Sequence, residues 1–283
     1  MKKVDLLGEL ATRSILLEVS THPKPGLVTP FSSGAHRDMD FTLFLKSTAV
    51  LSQGFKGVSH FGYNYKGDIQ KMLPPLRKLG LEVEKRMFEV TNGVNTQKGL
   101  IFLFYLILGA SGYLLNKRRL SPKSVSSSVS KITSGITEKE LGSIKKGKKT
   151  LSKGENTFVT HGITGIRGEV EKGLPTVMEL GLPEFKKAYE KTQDLNKSSL
   201  HALIAIMSGA EDTNIISRNG IEAYYDIQKK ADEIIKVGGV LTTTGMSKIL
   251  DLEMDFLKKN ISPGGAADLL SATLFFYFLS KEI

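Results

Sequence analysis

Apolar residues recur at helical spacing along almost the whole 283-residue chain, and the alternation typical of β-strands is scarce. The first segment shows the pattern, since Leu7, Leu10 and Ile15 are spaced as on one face of an amphipathic helix. Similar stretches, separated by glycine- and proline-rich corners, follow to the C-terminus, and no internal repeat is present. The sequence therefore predicts an all-α fold in which residues 1–283 form a single globular domain, with an active site built from the loops between helices.

The segment of residues 20–40 is the most unusual connection between two predicted helices. It holds three prolines, two glycines, two histidines and two aspartates, whereas a plain connection needs only about 2–8 residues. Pro23 and Pro25 fix two backbone torsions, and Gly26 permits a sharp turn or the close approach of a ligand. Such a stiff, ion-rich loop suits the binding of an anion or a metal, and an elaborate corner between two helices is the structural alternative.

The composition is that of a soluble protein with a sizeable core, at 40% hydrophobic and 24% charged residues. The absence of cysteine excludes disulfides, thiolate metal sites and a cysteine nucleophile, and it fits a reducing cytosol. The N-terminus carries Asp5 and Glu9 where a signal peptide needs an apolar stretch. The longest uncharged run, residues 99–116, falls short of the ~20 apolar residues that span a bilayer, so it predicts a buried helix. We therefore expect a cytoplasmic protein with no membrane partner.

One segment carries almost all of the net charge of +10. Residues 117–153 hold eleven basic and two acidic residues, a net charge of +9. A local positive field of this kind attracts polyanions, whereas a solvated lysine-rich face is the simpler interpretation. Within this segment, residues 137–140 have the pattern of a capping box, which predicts a helix over residues 138–146.

Three further motifs place polar side chains and glycines at helix boundaries. TNGVNTQKG, residues 91–99, precedes an apolar helix and is typical of an N-cap or of an anion site formed by free backbone amides. GITGIRGEVEKGLP, residues 162–175, holds Arg167 and Glu169 between glycines, which indicates a positioned ion pair or a ligand clamp. Asp212 follows an apolar helix, where a carboxylate meets the negative end of the helix dipole unless a cation or metal compensates it. We therefore expect Asp212 to be functional.

With PKPGLV, GAHRDMDF, TNGVNTQKG, GITGIRGEVEKGLP, EDTN and SPGGAADLL in this order, the sequence resembles the triphosphoribosyl-dephospho-coenzyme A synthase family. The motifs extend from about residue 18 to residue 270, which is nearly the whole chain. The resemblance implies a single all-α domain that transfers the triphosphoribosyl group of ATP to the 2′-hydroxyl of 3′-dephospho-CoA and releases adenine. It also implies that the product passes to an apo-acyl-carrier-protein transferase serving citrate lyase or malonate decarboxylase.

Two positions depart from the family pattern. Gln97 stands where the family usually has a histidine after the threonine of GVNT, and Ile166 stands where it usually has alanine. The first change removes a candidate metal ligand or proton carrier, and the second alters packing. No essential histidine role can therefore be carried over to position 97.

The implied reaction breaks an N-glycosidic bond at the ribose anomeric carbon and forms an O-glycosidic bond, through a transition state with oxocarbenium character. Carboxylates stabilise that positive charge, and one accepts the hydroxyl proton. Mg²⁺ and cationic side chains neutralise the triphosphate of ATP, so Mg²⁺ is the expected cofactor. An irregular segment at residues 57–67 is a candidate lid that excludes water.

The candidate residues for this chemistry come from the family motifs, and their roles are hypotheses. The predicted catalytic carboxylates, with the candidate general base first, are Glu169, Asp212 and Asp38. The predicted Mg²⁺ ligands are Asp38, Asp40 and Asp212. The predicted substrate-binding residues are Lys24, Gly26, His36, Arg37, Asn95, Lys98, Arg167, Asn214, Arg218, Gly264, Gly265 and Asp268. Among these, the triphosphate is assigned to Lys24, Lys98 and Arg167, with the amides around Gly26 and Gly264–Gly265.

Two other functions compete with this interpretation. A magnesium-dependent N-glycoside hydrolase of a nucleotide would use the same carboxylates with water as the acceptor. A nucleic-acid-binding protein built on residues 117–153 is more distant, because that segment lacks the aromatic residues that stack on single strands. The expected partners are ATP and 3′-dephospho-CoA, with no nucleic acid, and the sequence leaves open whether the protein forms a homo-oligomer.

Overall fold

The computed structural model describes residues 3–144 and 151–283, and within these ranges it contains helices and no β-strand. This confirms the predicted all-α fold. Short 3₁₀ or π-helical turns occur at Ile69–Lys71, Glu138–Gly142, Thr176–Gly181 and Gly239–Leu241. The α-helices, in chain order, are α1 (Lys3–Ser20), α2 (Phe41–Asn64), α3 (Leu73–Val90), α4 (Lys98–Asn116), α5 (Pro122–Ile132), α6 (Lys153–His161), α7 (Gly165–Glu171), α8 (Leu182–Thr192), α9 (Leu195–Met207), α10 (Thr213–Lys236), α11 (Thr243–Lys259) and α12 (Gly264–Glu282).

Helices α4, α9 and α12 form the centre of the molecule. Their sequences are apolar around most of the helix, which is the pattern of a helix surrounded by other helices. Helix α4 packs against α1, α2, α3, α5 and α12, while α12 also packs against α8 and α9. The buried apolar side chains form one continuous cluster that reaches from Leu7 in α1 to Leu279 in α12. All of the described α-helices except α6 therefore contribute to one core.

Helix α4 is, among the described residues, the one helix whose length and composition would allow it to cross a membrane. However, 72% of its apolar window is buried inside the protein. Helix α4 is therefore the buried core helix that the sequence predicted for residues 99–116.

Glycines allow α2 and α4 to approach each other closely. A Cβ atom at Gly62 would overlap the carbonyl oxygen of Gly109, and one at Gly112 would overlap the carbonyl oxygen of Ser59. Backbone therefore packs directly on backbone at this crossing, which only glycine permits. The crossing fixes the position of α4 and hence of its N-terminal end at the candidate site.

Two local predictions are wrong for identifiable reasons. Residues 57–64 continue α2, so the predicted irregular segment is mostly helical and the proposed lid has no support. Gly62 lies within the helix, where the absence of a side chain allows α2 to contact the backbone of α4 closely. The pattern of residues 68–91 also predicts either one helix broken at Pro74–Pro75 or two helices, but the prolines do not interrupt α3. They lie in the first turn of α3, where the missing amide proton has no helical partner to lose.

The structure also differs from the helix predicted for residues 138–146. Thr137 makes no capping hydrogen bond, because its own backbone is already helical, and the segment forms a π-helical turn at Glu138–Gly142. Lys145 and Lys146, the last residues of that predicted helix, lie outside the described residues.

The α2–α4 crossing predicts a contrast between two glycine substitutions. Gly112→Ala should lower the free energy of unfolding by about 1–3 kcal/mol, because the new methyl group forces two backbones apart. Gly57→Ala should be neutral or raise it by up to about 1 kcal/mol, since Gly57 is an exposed helical residue with open space around it. Urea denaturation measures both. Equal midpoints for the two variants would contradict the described crossing.

Candidate functional site

The N-terminal ends of four helices in the described chain surround one cavity of about 370 Å³. The positive ends of their dipoles lie at this space, which suits the binding of anions, although side chains of the protein already accept from several of the first backbone amides. Lys153, at the start of α6, also lines it. The residues that begin α4, α7, α10 and α12 at the cavity wall are Lys98, Gly99, Gly165, Ile166, Thr213, Asn214, Gly264 and Gly265.

Residues 20–40 form another wall of this cavity. Gly26 has a positive φ of 69°, and a Cβ there would overlap the carbonyl oxygen of Ile261, so the loop packs tightly on the segment before α12. His36 reinforces this contact through a hydrogen bond of 2.7 Å between its Nε2 and the Ser262 hydroxyl. Gly26 itself does not line the cavity, but its neighbours Leu27 and Val28 do, so the contact of the amides around Gly26 with phosphate stays a prediction.

Asp212 joins the beginnings of two helices. Its Oδ1 accepts hydrogen bonds from the backbone N–H groups of Asn214 (2.9 Å) and Ile215 (3.4 Å), at the start of α10. Its Oδ2 accepts from the N–H of Ala266 (3.1 Å), at the start of α12. The carboxylate is buried, and burial raises its pKa while these N–H groups oppose the rise.

The predicted position of Asp212 at the negative end of a helix is therefore wrong. Helix α9 ends at Met207, and the chain turns before reaching Asp212. The carboxylate meets two positive helix ends, and it needs no metal to compensate it.

Glu211 has a similar role at a third helix. Its Oε2 accepts hydrogen bonds from the Thr164 N–H (2.8 Å), the Thr164 hydroxyl (2.9 Å) and the Gly165 N–H (2.8 Å), where α7 begins. The sequence interpretation did not single out Glu211, although it lies in the EDTN motif. The two carboxylates of this motif together hold the starts of three helices at the cavity.

Lys24 reaches the cavity as part of a buried ion pair. Its Nζ donates to Glu18 Oε1 at 2.6 Å and to the Glu18 carbonyl oxygen at 2.8 Å. Burial raises the pKa of Glu18 and lowers that of Lys24, and the pairing opposes both shifts. The ammonium that was predicted to bind the triphosphate is thus already paired with Glu18, which the sequence interpretation did not identify.

Asp268 presents its carboxylate to the cavity from the second turn of α12. Within residues 3–144 and 151–283 this carboxylate has no hydrogen-bond or ion-pair partner. It lies against Gly99, where a Cβ would be only 2.5 Å from Oδ2. Burial raises the pKa of Asp268 well above its usual value, and the nearby charges of Glu18 and Asp212 raise it further. A carboxyl group with these properties is a strong candidate for proton transfer.

Glu169, the predicted general base, also lines the cavity, but both of its oxygens are occupied. Oε1 accepts from the Thr176 N–H at 2.9 Å, and Oε2 accepts from the Thr176 hydroxyl at 2.8 Å. Burial raises its pKa, and the bonds from Thr176 oppose that rise. Its geometry is that of a group that fixes the start of the Thr176–Gly181 turn.

Arg167 does not line this cavity, and it does not form the ion pair with Glu169 that was one of the two interpretations of this motif. Arg167 Nε donates to Glu140 Oε2 at 2.8 Å, and Arg77 binds the other oxygen of the same carboxylate. Residues two apart in a helix do not face each other, so Arg167 and Glu169 point to different sides of α7. The predicted contact of Arg167 with the triphosphate has no support in this arrangement.

The three aspartates predicted to bind Mg²⁺ do not form one site. Asp40 caps α2 by accepting from the Leu43 N–H at 2.8 Å, and Asp212 is occupied as described. Asp38 lines the cavity with a side chain that is 60% exposed, 3.7 Å from His36 Nδ1. No group of three His, Cys, Asp or Glu side chains in the described chain is arranged to hold a metal. These residues therefore do not fit a metal site made by the protein alone.

The remaining predicted residues lie mostly around the cavity. Lys98 pairs with Glu84 at 2.7 Å, and the Asn95 side chain accepts from the Lys98 N–H at 3.1 Å. Burial lowers the pKa of His36, and the charge of Arg218 lowers it further. The predicted residues that line the cavity are Lys24, His36, Asp38, Asn95, Lys98, Glu169, Asn214, Arg218, Gly264, Gly265 and Asp268. Those that do not are Gly26, Arg37, Asp40, Arg167 and Asp212.

Gln97 connects the cavity wall to α2. Its Oε1 accepts from the Ser47 hydroxyl at 2.8 Å, and its Nε2 donates to the Thr48 hydroxyl at 3.3 Å. All three side chains are buried. The residue that replaces the family's usual histidine therefore serves the packing between α2 and the start of α4.

Comparisons with known proteins place this arrangement in context. The family described as ATP:dephospho-CoA triphosphoribosyl transferase matches residues 5–283 of the chain. A protein of Malonomonas rubra named "Probable 2-(5''-triphosphoribosyl)-3'-dephosphocoenzyme-A synthase" is 40% identical over 98% of this chain and 88% of its own length. A protein of the same name from Streptococcus mutans is 37% identical over 100% and 99%. A 2-(5''-triphosphoribosyl)-3'-dephosphocoenzyme-A synthase of Escherichia fergusonii is 34% identical over 97% and 91%. No solved structure matches the chain significantly.

The hydrogen bonds of Asp212 predict that its removal affects folding before chemistry. Asp212→Ala should lower the free energy of unfolding by about 2–4 kcal/mol, because it leaves three N–H groups at two buried helix ends unpaired. Asp40→Ala, which removes one exposed cap, should cost only about 1 kcal/mol. Thermal and urea unfolding of both variants check this. An Asp212→Ala protein as stable as Asp40→Ala would show that the two helix ends do not depend on this carboxylate.

Proposed function

Because this chain belongs to the ATP:dephospho-CoA triphosphoribosyl transferase family, we propose that it transfers the triphosphoribosyl group of ATP to the 2′-hydroxyl of 3′-dephospho-CoA and releases adenine. The observation that carries this proposal is the meeting of several helix N-termini in one cavity with the carboxylate of Asp268, which has no partner among the described residues. The first feature suits a polyphosphate, and the second suits proton transfer at a sugar. The product would then pass to an apo-acyl-carrier-protein transferase.

The triphosphate of ATP is proposed to lie at the helix N-termini. The amides of Gly99 in α4 and Gly264 in α12 line this space and are not the ones that Asn95 and Asp212 occupy, so they supply hydrogen-bond donors. Lys98, Lys153 and Arg218 line the same space with exposed cationic side chains. ATP enters as its Mg²⁺ complex, a form in which one or two carboxylates commonly complete the coordination of the metal, and Asp38 is the accessible carboxylate at this cavity.

The chemical step is proposed to depend on Asp268. The bond between the ribose anomeric carbon and adenine breaks, and the acceptor hydroxyl oxygen forms the new bond to that carbon. The acceptor hydroxyl loses one proton and the departing adenine takes up one, so the transfer releases no net proton. An ionised Asp268 accepts the hydroxyl proton and stabilises the positive charge on the sugar. Its raised pKa makes it a stronger base than an ordinary carboxylate. Glu169 is a weaker candidate for this role because Thr176 occupies both of its oxygens.

The product identifies the reaction directly. Purified protein incubated with ATP, Mg²⁺ and 3′-dephospho-CoA should form a species whose mass equals that of the acceptor plus one triphosphoribosyl group, as measured by mass spectrometry. Adenine should appear in equal amount and only when the acceptor is present. Release of adenine and free ribose triphosphate without acceptor would show an N-glycoside hydrolase and overturn the proposal.

Replacement of Asp268 tests the proposed base. Asp268→Asn should lower kcat by about 10²–10⁴-fold, as expected for loss of general base catalysis, while the KM for ATP changes little. A base must be ionised, so kcat/KM of the wild-type enzyme should fall as the pH drops through the raised pKa of Asp268. This acid limb should be absent in Asp268→Asn.

Glu169→Gln is the matched control, since it makes the same change in a second half-buried carboxyl group that lines the cavity. It should retain the acid limb of the pH profile. A larger loss of kcat in Glu169→Gln than in Asp268→Asn would transfer the role of base to Glu169.

A further inference from the structure

A second cavity of about 410 Å³ adjoins the candidate site and takes no part in the proposed chemistry. It lies between α3, α4 and α7, and it shares Lys98, Gly99 and Ile166 with the first cavity. The two spaces therefore meet at the N-terminal end of α4, close to the carboxylate of Asp268. We call the second space the α3–α4 slot.

The walls of the α3–α4 slot are mostly apolar. Leu73, Leu81, Ile101, Phe102 and Tyr105 line it from the two helices. Leu81 is 62% exposed, which is unusual for a leucine and places an apolar group at the opening of the slot. Such walls favour a ligand with apolar groups and disfavour an unpaired phosphate, because a charge loses its hydration there.

Polar groups close the slot at the side of α7. Glu140 accepts hydrogen bonds from both Arg77 and Arg167, so the three side chains form a bridge between α3, the Glu138–Gly142 turn and α7. Arginine has five N–H donors, and a single carboxylate does not engage all of them. The bridge therefore offers donors to a neutral acceptor such as an amide carbonyl.

Gly80 gives the slot its width. This helical glycine is buried, yet a Cβ at its position would lie 3.7 Å from Ile101 and from Tyr105, at ordinary contact distance. Packing therefore does not require glycine here, although glycine within a helix costs about 0.5–1 kcal/mol relative to alanine. The missing side chain leaves space in the slot that the fold itself does not need.

The volume of the first cavity also indicates a need for a second. At about 370 Å³ it lies near the lower end of the ~300–1,000 Å³ typical of a site for one small ligand. The proposed reaction must hold two nucleotide substrates at once. An adjoining space of similar volume is the natural place for the part of a substrate that does not react.

We propose that the α3–α4 slot binds the pantetheine arm of 3′-dephospho-CoA, an inference that rests on the proposed function. This arm is an uncharged chain in which methylene and methyl groups alternate with two amides, and it matches apolar walls closed by arginine donors. The acceptor diphosphate then lies where the two cavities meet, at Gly99 and Ile166, and the acceptor ribose reaches Asp268 in the first cavity.

Narrowing the slot tests this assignment. Gly80→Leu should raise the Kd and the KM for 3′-dephospho-CoA at least tenfold. ADP, which is the same acceptor without the pantetheine arm, should bind as it does to the wild type, and the KM for ATP should change less than twofold. Gly57→Leu is the matched control, because it makes the same change at an exposed helical glycine outside both cavities. Gly57→Leu should leave the Kd and KM values for 3′-dephospho-CoA, ADP and ATP unchanged.

Phe102→Ala provides a second variant if Gly80→Leu fails to fold. It removes one apolar wall and should weaken binding of 3′-dephospho-CoA, again with ADP unaffected. A selective rise in the KM for ATP would assign the slot to the adenine of ATP. Equal losses of affinity for ADP and for 3′-dephospho-CoA would show that the slot does not bind the pantetheine arm. Either result overturns the inference.

Calorimetric binding separates this inference from the proposed function. Suppose that the wild-type protein binds 3′-dephospho-CoA more tightly than ADP, that Gly80→Leu abolishes this difference, and that the wild type forms no product. This result would support the assignment of the slot and reject the proposed transfer. Normal product formation, together with an affinity of Gly80→Leu for 3′-dephospho-CoA equal to that of the wild type, would support the proposed transfer and reject the assignment of the slot.

Discussion

The carboxylate of Asp212, held by backbone N–H groups at the starts of α10 and α12, is the interaction on which the cavity depends. A buried carboxylate is costly unless donors surround it, so the two helix ends and the acid stabilise one another. Because α12 is fixed at its first turn, Asp268 in the next turn has a defined position against Gly99 of α4. Glu211 extends the same arrangement to α7, so consecutive residues of one short motif bring three helices to a common point.

Three acidic side chains lie close enough to influence one another, yet only one of them is left without a local donor. Glu18 has the ammonium of Lys24, and Asp212 has the backbone amides. Asp268 has neither among the described residues, and it is affected by the charges of both other groups. The unfavourable effects of burial and of neighbouring negative charge therefore act together on the carboxylate that faces the cavity, and both raise its pKa.

The helical class and the loops that form the site followed from periodicity and from the positions of glycine and proline, because these are local properties of the chain. The hydrogen-bond and ion-pair partners of the charged side chains were not predictable in this way, because they lie far away along the chain. Arg167 was expected to meet Glu169 two residues away, but it binds Glu140 from a distant turn. Asp212 was placed at the end of the preceding helix, whereas its partners include Ala266, 54 positions further along the chain. Glu18 and Lys153 were missed because a single charged residue on a helix gives no sign of which surface it will face.

Gln97 has a consequence for how this family diverges. Its amide uses both an acceptor and a donor to join Ser47 and Thr48 of α2, and all three side chains are buried. An imidazole at this position would have to meet the same two hydroxyl groups with a different shape, and any mismatch would leave a polar atom unsatisfied in the interior. Evolutionary exchange between glutamine and histidine here should therefore be accompanied by compensating replacements at the two α2 positions, making the trio a signature by which branches of the family can be sorted.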